Sequence, residues 1–393
     1  MRKVVEGSMA IAEAVKLCRA QVISAYPITP QTHIVQNLSS FIANGAMKAE
    51  YIRVESEHSA ASAALGASAV GARAYTASSS QGIMLMAEVL FSIAGMRLPV
   101  VMTCANRAVS SPINIWNDQQ DSYSVRDSGW IQLHAEDNQE AVDLHLQAYK
   151  IAENAKIELP VMVCMDGFVL THSYEPVDLP EQAAMDAFLP SWKATRILDP
   201  KDPKTFGMYS EEGYTETRFA IEQSMIDAKG VIEAVSADFE RTFGRHAGGL
   251  MQGYRMDDAE IVLMATGSIV GLLKSVADDL RAKGKKVGVL KLVSFRPFPG
   301  EELAKALKGV KKVAVFEKAV SVGGPAIVAS ELRSALYQEP VRPEVSSFVV
   351  GLGGKDITDE TIHKAVEMAS AGYVAKHYME LDEEFLRDLA AAR

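Results

Sequence analysis

Thiols are scarce in this 393-residue sequence. Its three cysteines, Cys18, Cys104 and Cys164, lie far apart. Each sits within an apolar run, which is typical of small core residues. No CxxC pair occurs, so the thiolates of this chain cannot build an iron–sulfur cluster or a zinc site. We therefore expect no metal ligands here, and any carriers for electron transfer must lie in other chains.

The sequence also lacks a long hydrophobic run and a basic surface. Its longest apolar stretches, such as residues 83–91, are interrupted by charge at positions like Glu88 and are too short to cross a bilayer. The first twenty residues lack the pattern of a secretory signal. A net charge of −10 without a basic stripe argues against nucleic-acid binding. We expect a cytoplasmic protein that binds neither membrane nor nucleic acid.

Common phosphate-binding and nucleophile motifs are missing as well. There is no GxGxxG after the first predicted strand, no Walker loop and no nucleophile elbow. Nor is there a GDG followed by asparagine at the distance expected for a magnesium diphosphate site, since Asp166-Gly167 lacks the first glycine. The sequence thus offers no diphosphate site of its own.

What the sequence does contain is the pattern of a two-domain α/β protein. Hydrophobic residues make up 48% of the chain and charged residues 23%, as in a well-buried globular protein. Helix and strand signals alternate with short connectors, which predicts a mainly parallel sheet, and the continuous apolar strands predict a sheet covered on both faces. We predict domains over residues 1–245 and 246–393. The first includes a surface crossing segment without clear periodicity, residues 171–215.

The pattern predicts individual elements in both domains. In the first, strands are predicted over residues 21–25, 51–54, 73–77, 99–104 and 159–165, and helices over 7–19, 31–44, 83–94, 138–155 and 216–243. In the second, strands are predicted over residues 261–266, 287–292, 312–316 and 346–350, and helices over 269–282, 301–307, 325–337 and 358–369.

The most unusual residue is Glu57, an acid at the mouth of a helix rich in alanine, serine and glycine. Such a helix can approach its neighbours closely and bury its first turn, and a buried carboxylate with a raised pKa is a common proton carrier at neutral pH. The alternative is a helix-capping glutamate stabilised by the helix dipole. The local sequence leaves both interpretations open.

Polar residues also follow three predicted strands, and ligands of parallel sheets bind outside the carboxyl ends of the strands. The loop at residues 26–32 holds Thr29 between two prolines, although Thr29 could simply be an N-cap. The loop at residues 76–82 could present backbone N–H groups to a ligand, or Ser80 could be an N-cap.

The third loop follows the most apolar strand and begins with Asn106 and Arg107. An arginine at this position can clamp a carboxylate bidentately, whereas a surface arginine would pair with a nearby acid. Asp118, Asp121, Arg126 and Asp127 then form a charged helical patch, which we interpret as a solvated or subunit-contacting face.

Taken together, these motifs resemble the alpha subunits of pyruvate:ferredoxin oxidoreductases, within the thiamine-diphosphate-dependent 2-oxoacid:ferredoxin oxidoreductases. The resemblance covers essentially the whole chain. It is carried by residues 26–30 (YPITP), 54–60 (VESEHSA), 79–82 (SSQG), 106–116 (NRAVSSPINIW), 126–132 (RDSGWIQ), 166–168 (DGF), 295–299 (FRPFP) and 351–358 (GLGGKDIT).

The resemblance implies a fold and a set of site residues. The fold is a pyrimidine-binding domain of the thiamine fold followed by a smaller transketolase C-terminal-like α/β domain. Glu57 faces the N1′ atom of the cofactor's aminopyrimidine and favours the imino tautomer that deprotonates the thiazolium. Ile28, Thr29, Ser80 and Gln81 contact the cofactor; Thr29 and Arg107 line the substrate pocket, with Arg107 on the pyruvate carboxylate.

The resemblance to this family also implies partner subunits. A beta subunit supplies the diphosphate and Mg²⁺ site, and gamma and ferredoxin-like delta subunits complete a complex that carries [4Fe-4S] clusters. The reaction is oxidative decarboxylation of pyruvate with coenzyme A to acetyl-CoA and carbon dioxide, with reduction of ferredoxin.

Two alternatives to the pyruvate:ferredoxin oxidoreductase function stay open. Residues 111–116 after Asn106 and Arg107 resemble the pyruvate branch, and a 2-oxoglutarate or branched-chain 2-oxoacid enzyme is the runner-up. A non-catalytic α/β scaffold or ligand-binding subunit is the alternative from a different functional class.

Overall fold

The computed structural model describes residues 2–202 and 212–391 of the chain. Its described part contains two compact units. The first comprises Met1–Gln252, Thr266–Ile269 and Lys291–Pro299, and the second Gly253–Ala265, Val270–Leu290 and Gly300–Arg393. Among the described residues, no helix combines the length and the apolar character needed to cross a bilayer.

The strands up to residue 254 are β1 (Arg2–Glu6), β2 (Val22–Ser24), β3 (Glu50–Ile52), β4 (Ala74–Ser78), β5 (Val101–Asn106), β6 (Ile131–His134), β7 (Val161–Asp166), β8 (Tyr174–Asp178) and β9 (Met251–Tyr254). The helices of this part are α1 (Gly7–Leu17), α2 (Thr32–Ala43), α3 (Glu57–Ala69), α4 (Ser80–Leu85), α5 (Ala87–Gly95), α6 (Gln120–Ser124), α7 (Asn138–Ala152), α8 (Gln182–Phe188) and α9 (Tyr214–Phe243).

The later strands are β10 (Ile261–Ala265), β11 (Val287–Leu292), β12 (Ser294–Arg296), β13 (Lys312–Glu317), β14 (Glu344–Val349) and β15 (His377–Tyr378). The later helices are α10 (Ile269–Ala282), α11 (Gly300–Ala306), α12 (Val328–Leu336), α13 (Asp359–Ala371) and α14 (Glu383–Ala391), with a 3₁₀ turn at Leu352–Gly354.

A seven-stranded sheet in the order β12-β6-β7-β5-β4-β2-β3 organises the first unit. Six of these strands run parallel, and β12 pairs antiparallel with β6 at one edge. Alternate residues enter separate cores: Val101 and Val161 pack with α1, α2 and α7, whereas Met102 and Met162 pack with residues of α3 and α5. The predicted mainly parallel sheet with both faces covered is confirmed.

In the second unit, β10, β13, β14 and β15 form parallel pairs within a sheet of order β15-β14-β13-β10-β11-β9. The carboxylate of Glu317, at the end of β13, accepts N–H hydrogen bonds from Ile327, Val328 and Ala329 at 2.8 to 3.0 Å. It thereby satisfies backbone donors at the start of α12, which have no partner within the helix.

Three sequence predictions need correction. The helix predicted over residues 83–94 is two helices, because the backbone leaves helical conformation at Met86. The segment predicted to lack regular structure, residues 171–215, contains β8, which pairs antiparallel with β1, and α8; residues 203–211 lie outside the described part. Strand β6 was not predicted, because the buried polar residues Gln132 and His134 interrupt its apolar pattern.

Candidate active site

Four neighbouring parallel strands end at one edge of the seven-stranded sheet, in the order β5, β4, β2 and β3. Parallel pairing places their carboxyl ends on the same side, as the sequence pattern predicted. The loops and helix starts that follow these strands hold Arg107, Ser80, Thr29 and Glu57, respectively. The candidate residues therefore come from adjacent positions along one sheet edge.

The buried carboxylate of Asp121, in α6, connects two of these loops. Its Oδ2 atom accepts N–H hydrogen bonds from Ser80 at 2.9 Å and from Arg107 at 3.0 Å. Its Oδ1 atom accepts hydrogen bonds from Asn106 Nδ2 and from the backbone of Ser122, both at 2.8 Å. One side chain thus fixes the backbone that follows β4 and the backbone that follows β5.

This environment changes the acidity of Asp121. Burial raises the pKa of its carboxyl to about 7, against the opposing effect of the hydrogen bonds from Ser80, Asn106 and Arg107. Asp121 and Asp118 are both buried, so the interpretation of this segment as a solvated or subunit-contacting patch is wrong for these two residues. For Asp127, whose side chain is 74% exposed, the structure agrees with a surface position.

Glu57 is the first residue of α3 and is only 8% exposed. The capping hydrogen bond of this helix belongs to Ser56, whose hydroxyl accepts from the Ser59 N–H at 3.2 Å. Within the described part of the chain, no donor or cation is bound to the Glu57 carboxylate. The Glu57 side chain therefore makes no capping hydrogen bond, although it lies in the first turn of α3, where the helix dipole favours an acid.

The surface facing Glu57 is formed by Gly82 in α4. A Cβ atom at Gly82 would lie 2.7 Å from Glu57 Oε1 and 2.3 Å from the hydroxyl oxygen of Ser78. The Ser78 hydroxyl is buried and has no hydrogen-bond partner among the described residues. The absent side chain at Gly82 therefore lets the helix after β4 approach the carboxylate closely.

The Ile28–Thr29 segment is held by Gln31, a fully buried residue that the sequence did not single out. Gln31 Nε2 donates to the Ala77 carbonyl at 2.7 Å, and Gln31 Oε1 accepts from the Ile28 N–H at 3.3 Å. Helix α2 begins at Thr32, with Gln31 preceding it, so Thr29 is not the N-cap. The side chain of Thr29 is exposed, while its carbonyl is used by Arg107.

Arg107 is nearly buried and spans two loops. Its Nη1 donates to the Thr29 carbonyl at 3.0 Å and its Nε to the Asn114 carbonyl at 2.9 Å. Burial lowers the pKa of the guanidinium from its ordinary value, and the charge of Asp121 opposes this. Within the described residues no acceptor is found for Nη2. Arg107 therefore does not make the surface ion pair that was the alternative interpretation.

Ser80 and Gln81 complete the arrangement. Ser80 is the first residue of α4, with a positive φ of 51°, so the N-cap interpretation of Ser80 is wrong. Its hydroxyl donates to the Ala108 carbonyl, and Gln81 Nε2 donates to Ser110 Oγ at 2.6 Å. The loop after β4 is thus attached to the loop after β5 through side chains as well as through Asp121.

The structure brings Thr29, Arg107, Ser80 and Gln81 into one hydrogen-bonded network, whereas Glu57 joins it through its contact with Gly82. Sequence reasoning missed Asp121, Gln31 and Gly82. The glycine was present in the recognised SSQG motif, but its role depends on a side chain 25 positions earlier. No local signal distinguishes the buried Asp121 from the exposed Asp127 of the same segment.

Comparison with known proteins adds an independent line of evidence. Residues 13–237 match the model of the pyruvate flavodoxin/ferredoxin oxidoreductase thiamine-diphosphate-binding domain. Residues 259–362 match the pyruvate:ferredoxin oxidoreductase core domain II.

Two relatives illustrate the range of similarity. Pyruvate synthase subunit PorA of Methanosarcina barkeri is 54% identical over 391 residues, covering 98% of this chain and 97% of the relative. Ketoisovalerate oxidoreductase subunit VorA of Pyrococcus horikoshii is 44% identical and covers 93% of each chain.

Among solved structures, a 2-oxoglutarate:ferredoxin oxidoreductase from Magnetococcus marinus has the same fold, with a TM-score of 0.71 at 20% identity. The match covers 94% of this chain and 65% of that chain.

The fold and the matched thiamine-diphosphate-binding domain are those of a thiamine-diphosphate-type α/β enzyme. The two matching domains and the 54% identity then define it further: the chain belongs to the pyruvate flavodoxin/ferredoxin oxidoreductase family. The family recognition and the fold class predicted from the sequence are confirmed.

Replacing Asp121 tests the connection between the two loops. In Asp121→Asn, one oxygen becomes an NH₂ group, so two of the four donors lose their acceptor. Each buried donor without an acceptor costs about 1 to 3 kcal/mol, and we expect the free energy of unfolding to fall by at least that amount in urea titrations at pH 7. The exposed Asp127→Asn control should change it by less than about 0.5 kcal/mol. Equal stabilities of the two variants would contradict this role of Asp121.

The raised pKa of Asp121 predicts a pH dependence of stability that the Asp121→Asn variant can test. The carboxyl of folded Asp121 has a pKa of about 7, above its ordinary value of 3.8, so the folded state holds the proton more tightly. The stability that this group contributes is complete below pH 3.8 and is lost as the pH rises through 7. The stability advantage of wild type over Asp121→Asn should therefore shrink from about pH 4 to pH 7. An advantage that grows with pH would exclude the raised pKa.

Adding a methyl group at Gly82 tests the close approach to Glu57. Gly82→Ala must displace the Glu57 carboxylate or the Ser78 hydroxyl, and we expect a loss of about 1 to 3 kcal/mol of stability in thermal unfolding. Gly66, within α3, has open space around its Cβ position. Gly66→Ala should instead be neutral or stabilising by up to about 1 kcal/mol. A Gly82→Ala protein as stable as Gly66→Ala would show that the approach is not close.

Proposed function

We propose that this chain is the alpha-type subunit of a pyruvate:ferredoxin oxidoreductase. The enzyme converts pyruvate and coenzyme A to acetyl-CoA and carbon dioxide and passes two electrons to ferredoxin. The proposal draws on family membership and on the 54% identity to a pyruvate synthase subunit. In this assignment the chain holds one end of the cofactor and helps to bind the substrate.

The observation that carries the proposal is the state of Glu57. Its carboxylate is almost buried, lies against Gly82 and has no donor among the described residues. This is the environment expected for an acid that binds a ring nitrogen of a ligand, because a protonated ring nitrogen would donate the missing hydrogen bond to the carboxylate. The buried, unpartnered hydroxyl of Ser78 supplies a second polar group beside it.

These residues fit thiamine diphosphate, which supplies a nucleophilic carbon for 2-oxoacid decarboxylation when bound. Glu57 would hold a proton at the N1′ atom of the aminopyrimidine ring. Ile28, Thr29, Ser80 and Gln81 would line the pyrimidine, since their segments are connected at one sheet edge through Gln31, Arg107 and Asp121. The rigid attachment of these loops would keep the ring oriented without a conformational cost during the reaction.

Arg107 would bind the substrate carboxylate. Two of its nitrogens are already fixed by the carbonyls of Thr29 and Asn114, which holds the guanidinium in place. The Nη2 atom has no acceptor among the described residues and is available for a charge-assisted hydrogen bond to a 2-oxoacid.

The rest of the catalytic apparatus is assigned to partner chains. The sequence contains no diphosphate motif, so a beta subunit would bind the diphosphate and Mg²⁺. The three cysteines are buried, and none belongs to a CxxC pair. [4Fe-4S] clusters would therefore lie in partners such as a ferredoxin-like delta subunit. A gamma subunit would complete the complex. A cytoplasmic location stays a prediction.

The runner-up function is a subunit of a related enzyme that acts on another 2-oxoacid. A relative named ketoisovalerate oxidoreductase subunit is 44% identical over most of the chain, which keeps a branched-chain substrate as an alternative. 2-Oxoglutarate is the other alternative, and the residues around Arg107 are the ones expected to decide among the three.

Glu57→Gln tests the proton-handling role. In a complex reconstituted with its partner subunits, we expect turnover to fall by at least about 100-fold, because the amide cannot hold the proton at N1′. Glu55→Gln is the matched control, since Glu55 is exposed and only two residues away. Steady-state ferredoxin reduction measures both. Near wild-type turnover of Glu57→Gln would remove Glu57 from the chemistry.

Arg107→Ala tests the substrate assignment. Loss of a charge-assisted hydrogen bond should raise the KM for pyruvate roughly ten- to a hundredfold. Arg126 lies in the same segment and has a half-exposed side chain. The control Arg126→Ala should leave the KM for pyruvate unchanged. The assay is repeated with 2-oxoglutarate and 3-methyl-2-oxobutanoate. An unchanged KM in Arg107→Ala would exclude the carboxylate contact, and a preference of the wild type for another 2-oxoacid would favour the runner-up.

A further inference from the structure

A second cluster of polar side chains lies in the first unit, apart from the network around Asp121. Glu6 ends β1, His33 is the second residue of α2, and His172 follows β7. Each offers one potential metal-ligating atom, and the three atoms all lie within 4.8 Å of one another. Three separate segments therefore bring potential ligand atoms close to one another.

The pairwise contacts show how these side chains are arranged. His33 Nδ1 is 2.7 Å from Glu6 Oε1, and the rings of His33 and His172 are 4.8 Å apart between centroids. The side chain of His33 is 47% exposed and that of Glu6 is 16% exposed. Both can therefore adjust, and water can enter the cluster from the outside.

His172 has an additional support that is typical of metal-ligating histidines. Its Nδ1 atom is 2.7 Å from the hydroxyl oxygen of Thr171, which also accepts the Phe168 N–H at 2.8 Å. Thr171 is fully buried and so holds this hydroxyl in a fixed position. In the tautomer in which Nδ1 donates to the Thr171 hydroxyl, the Nε2 atom of His172 carries a lone pair for a metal ion.

The ligand set selects a class of metal. Two imidazoles and one carboxylate match Zn²⁺ and similar divalent transition metals, whereas Ca²⁺ and Mg²⁺ prefer oxygen ligands alone. Zinc bonds of about 2.0 to 2.2 Å in tetrahedral geometry require donor atoms about 3.3 Å apart. The largest separation, up to 4.8 Å, would have to shrink by about 1.5 Å, and the 2.7 Å between His33 Nδ1 and Glu6 Oε1 would have to widen slightly. A water molecule would take the fourth position.

We propose that Glu6, His33 and His172 form a Zn²⁺ site with one water ligand. The ion joins the end of β1, the first turn of α2 and the segment after β7. Because His33 follows Thr29 by four residues, the ion also anchors the helix that begins directly after the Thr29 loop. The site is independent of the pyruvate assignment, since none of its ligands belongs to the proposed cofactor or substrate contacts.

The test uses the purified full-length chain after chelator treatment, with Zn²⁺ alone in calorimetry and Co²⁺ alone as a spectroscopic probe. We expect one equivalent of Zn²⁺ to bind, the thermal midpoint to rise with Zn²⁺ concentration, and Co²⁺ to give the visible bands of a four-coordinate site. His33→Ala and His172→Ala should each weaken binding by at least about 100-fold. Thr171→Val should weaken it by roughly 10- to 100-fold.

The matched control is His246→Ala. His246 Nδ1 lies 2.9 Å from Glu240 Oε2, a similar histidine–carboxylate pair that lacks a third ligand in the described chain. This variant should bind Zn²⁺ as wild type does. His33→Ala removes an exposed side chain and should retain the metal-free thermal midpoint, so its loss of binding reports on ligation. Absence of Zn²⁺ binding by wild type, or equal affinity in His33→Ala and His246→Ala, would overturn the proposal.

Discussion

The four hydrogen bonds of the Asp121 carboxylate are the constraint on which the candidate site depends. They connect the backbone of Ser80 after β4 with the backbone of Arg107 after β5. Asn106 and Ser122 occupy the remaining acceptor positions of the same carboxylate. An ionised carboxylate accepts hydrogen bonds at both oxygens, whereas the amide of Asn accepts at only one.

The other contacts extend from this point along the sheet edge. Arg107, positioned by Asp121, reaches the Thr29 carbonyl, and Gln31 attaches the same loop to β4 through Ala77. Helix α4, which starts at Ser80, brings Gly82 against Glu57. The acid proposed for the cofactor and the arginine proposed for the substrate are thus held on one connected framework. This arrangement suits a subunit that contributes half of a site, because its residues are ordered within the chain itself.

The sequence predicted the fold well where apolar periodicity was strong, as in α10 and β11, whose bounds agree with the prediction. It failed where buried polar residues interrupt the pattern, as Gln132 and His134 do in β6. For the candidate site, motif resemblance predicted Glu57, Arg107 and the loops around them, and the structure brings these to one sheet edge. The interpretation of Asp121 was wrong because α6 packs against β5 and α4 and so buries this residue, which the local sequence does not reveal. The Glu6, His33 and His172 cluster joins residues up to 166 positions apart and is likewise visible only in three dimensions.

The central claim is that Glu57 and Arg107 face the two ends of one reaction site on a framework fixed by Asp121. A structure of the assembled complex with thiamine diphosphate and a 2-oxoacid tests it most directly. We predict a Glu57 carboxylate oxygen within about 2.6 to 3.2 Å of the N1′ atom of the pyrimidine, and Arg107 Nη2 at a similar distance from the substrate carboxylate. A pyrimidine ring bound elsewhere, or an N1′ atom that faces no carboxylate, would contradict the account.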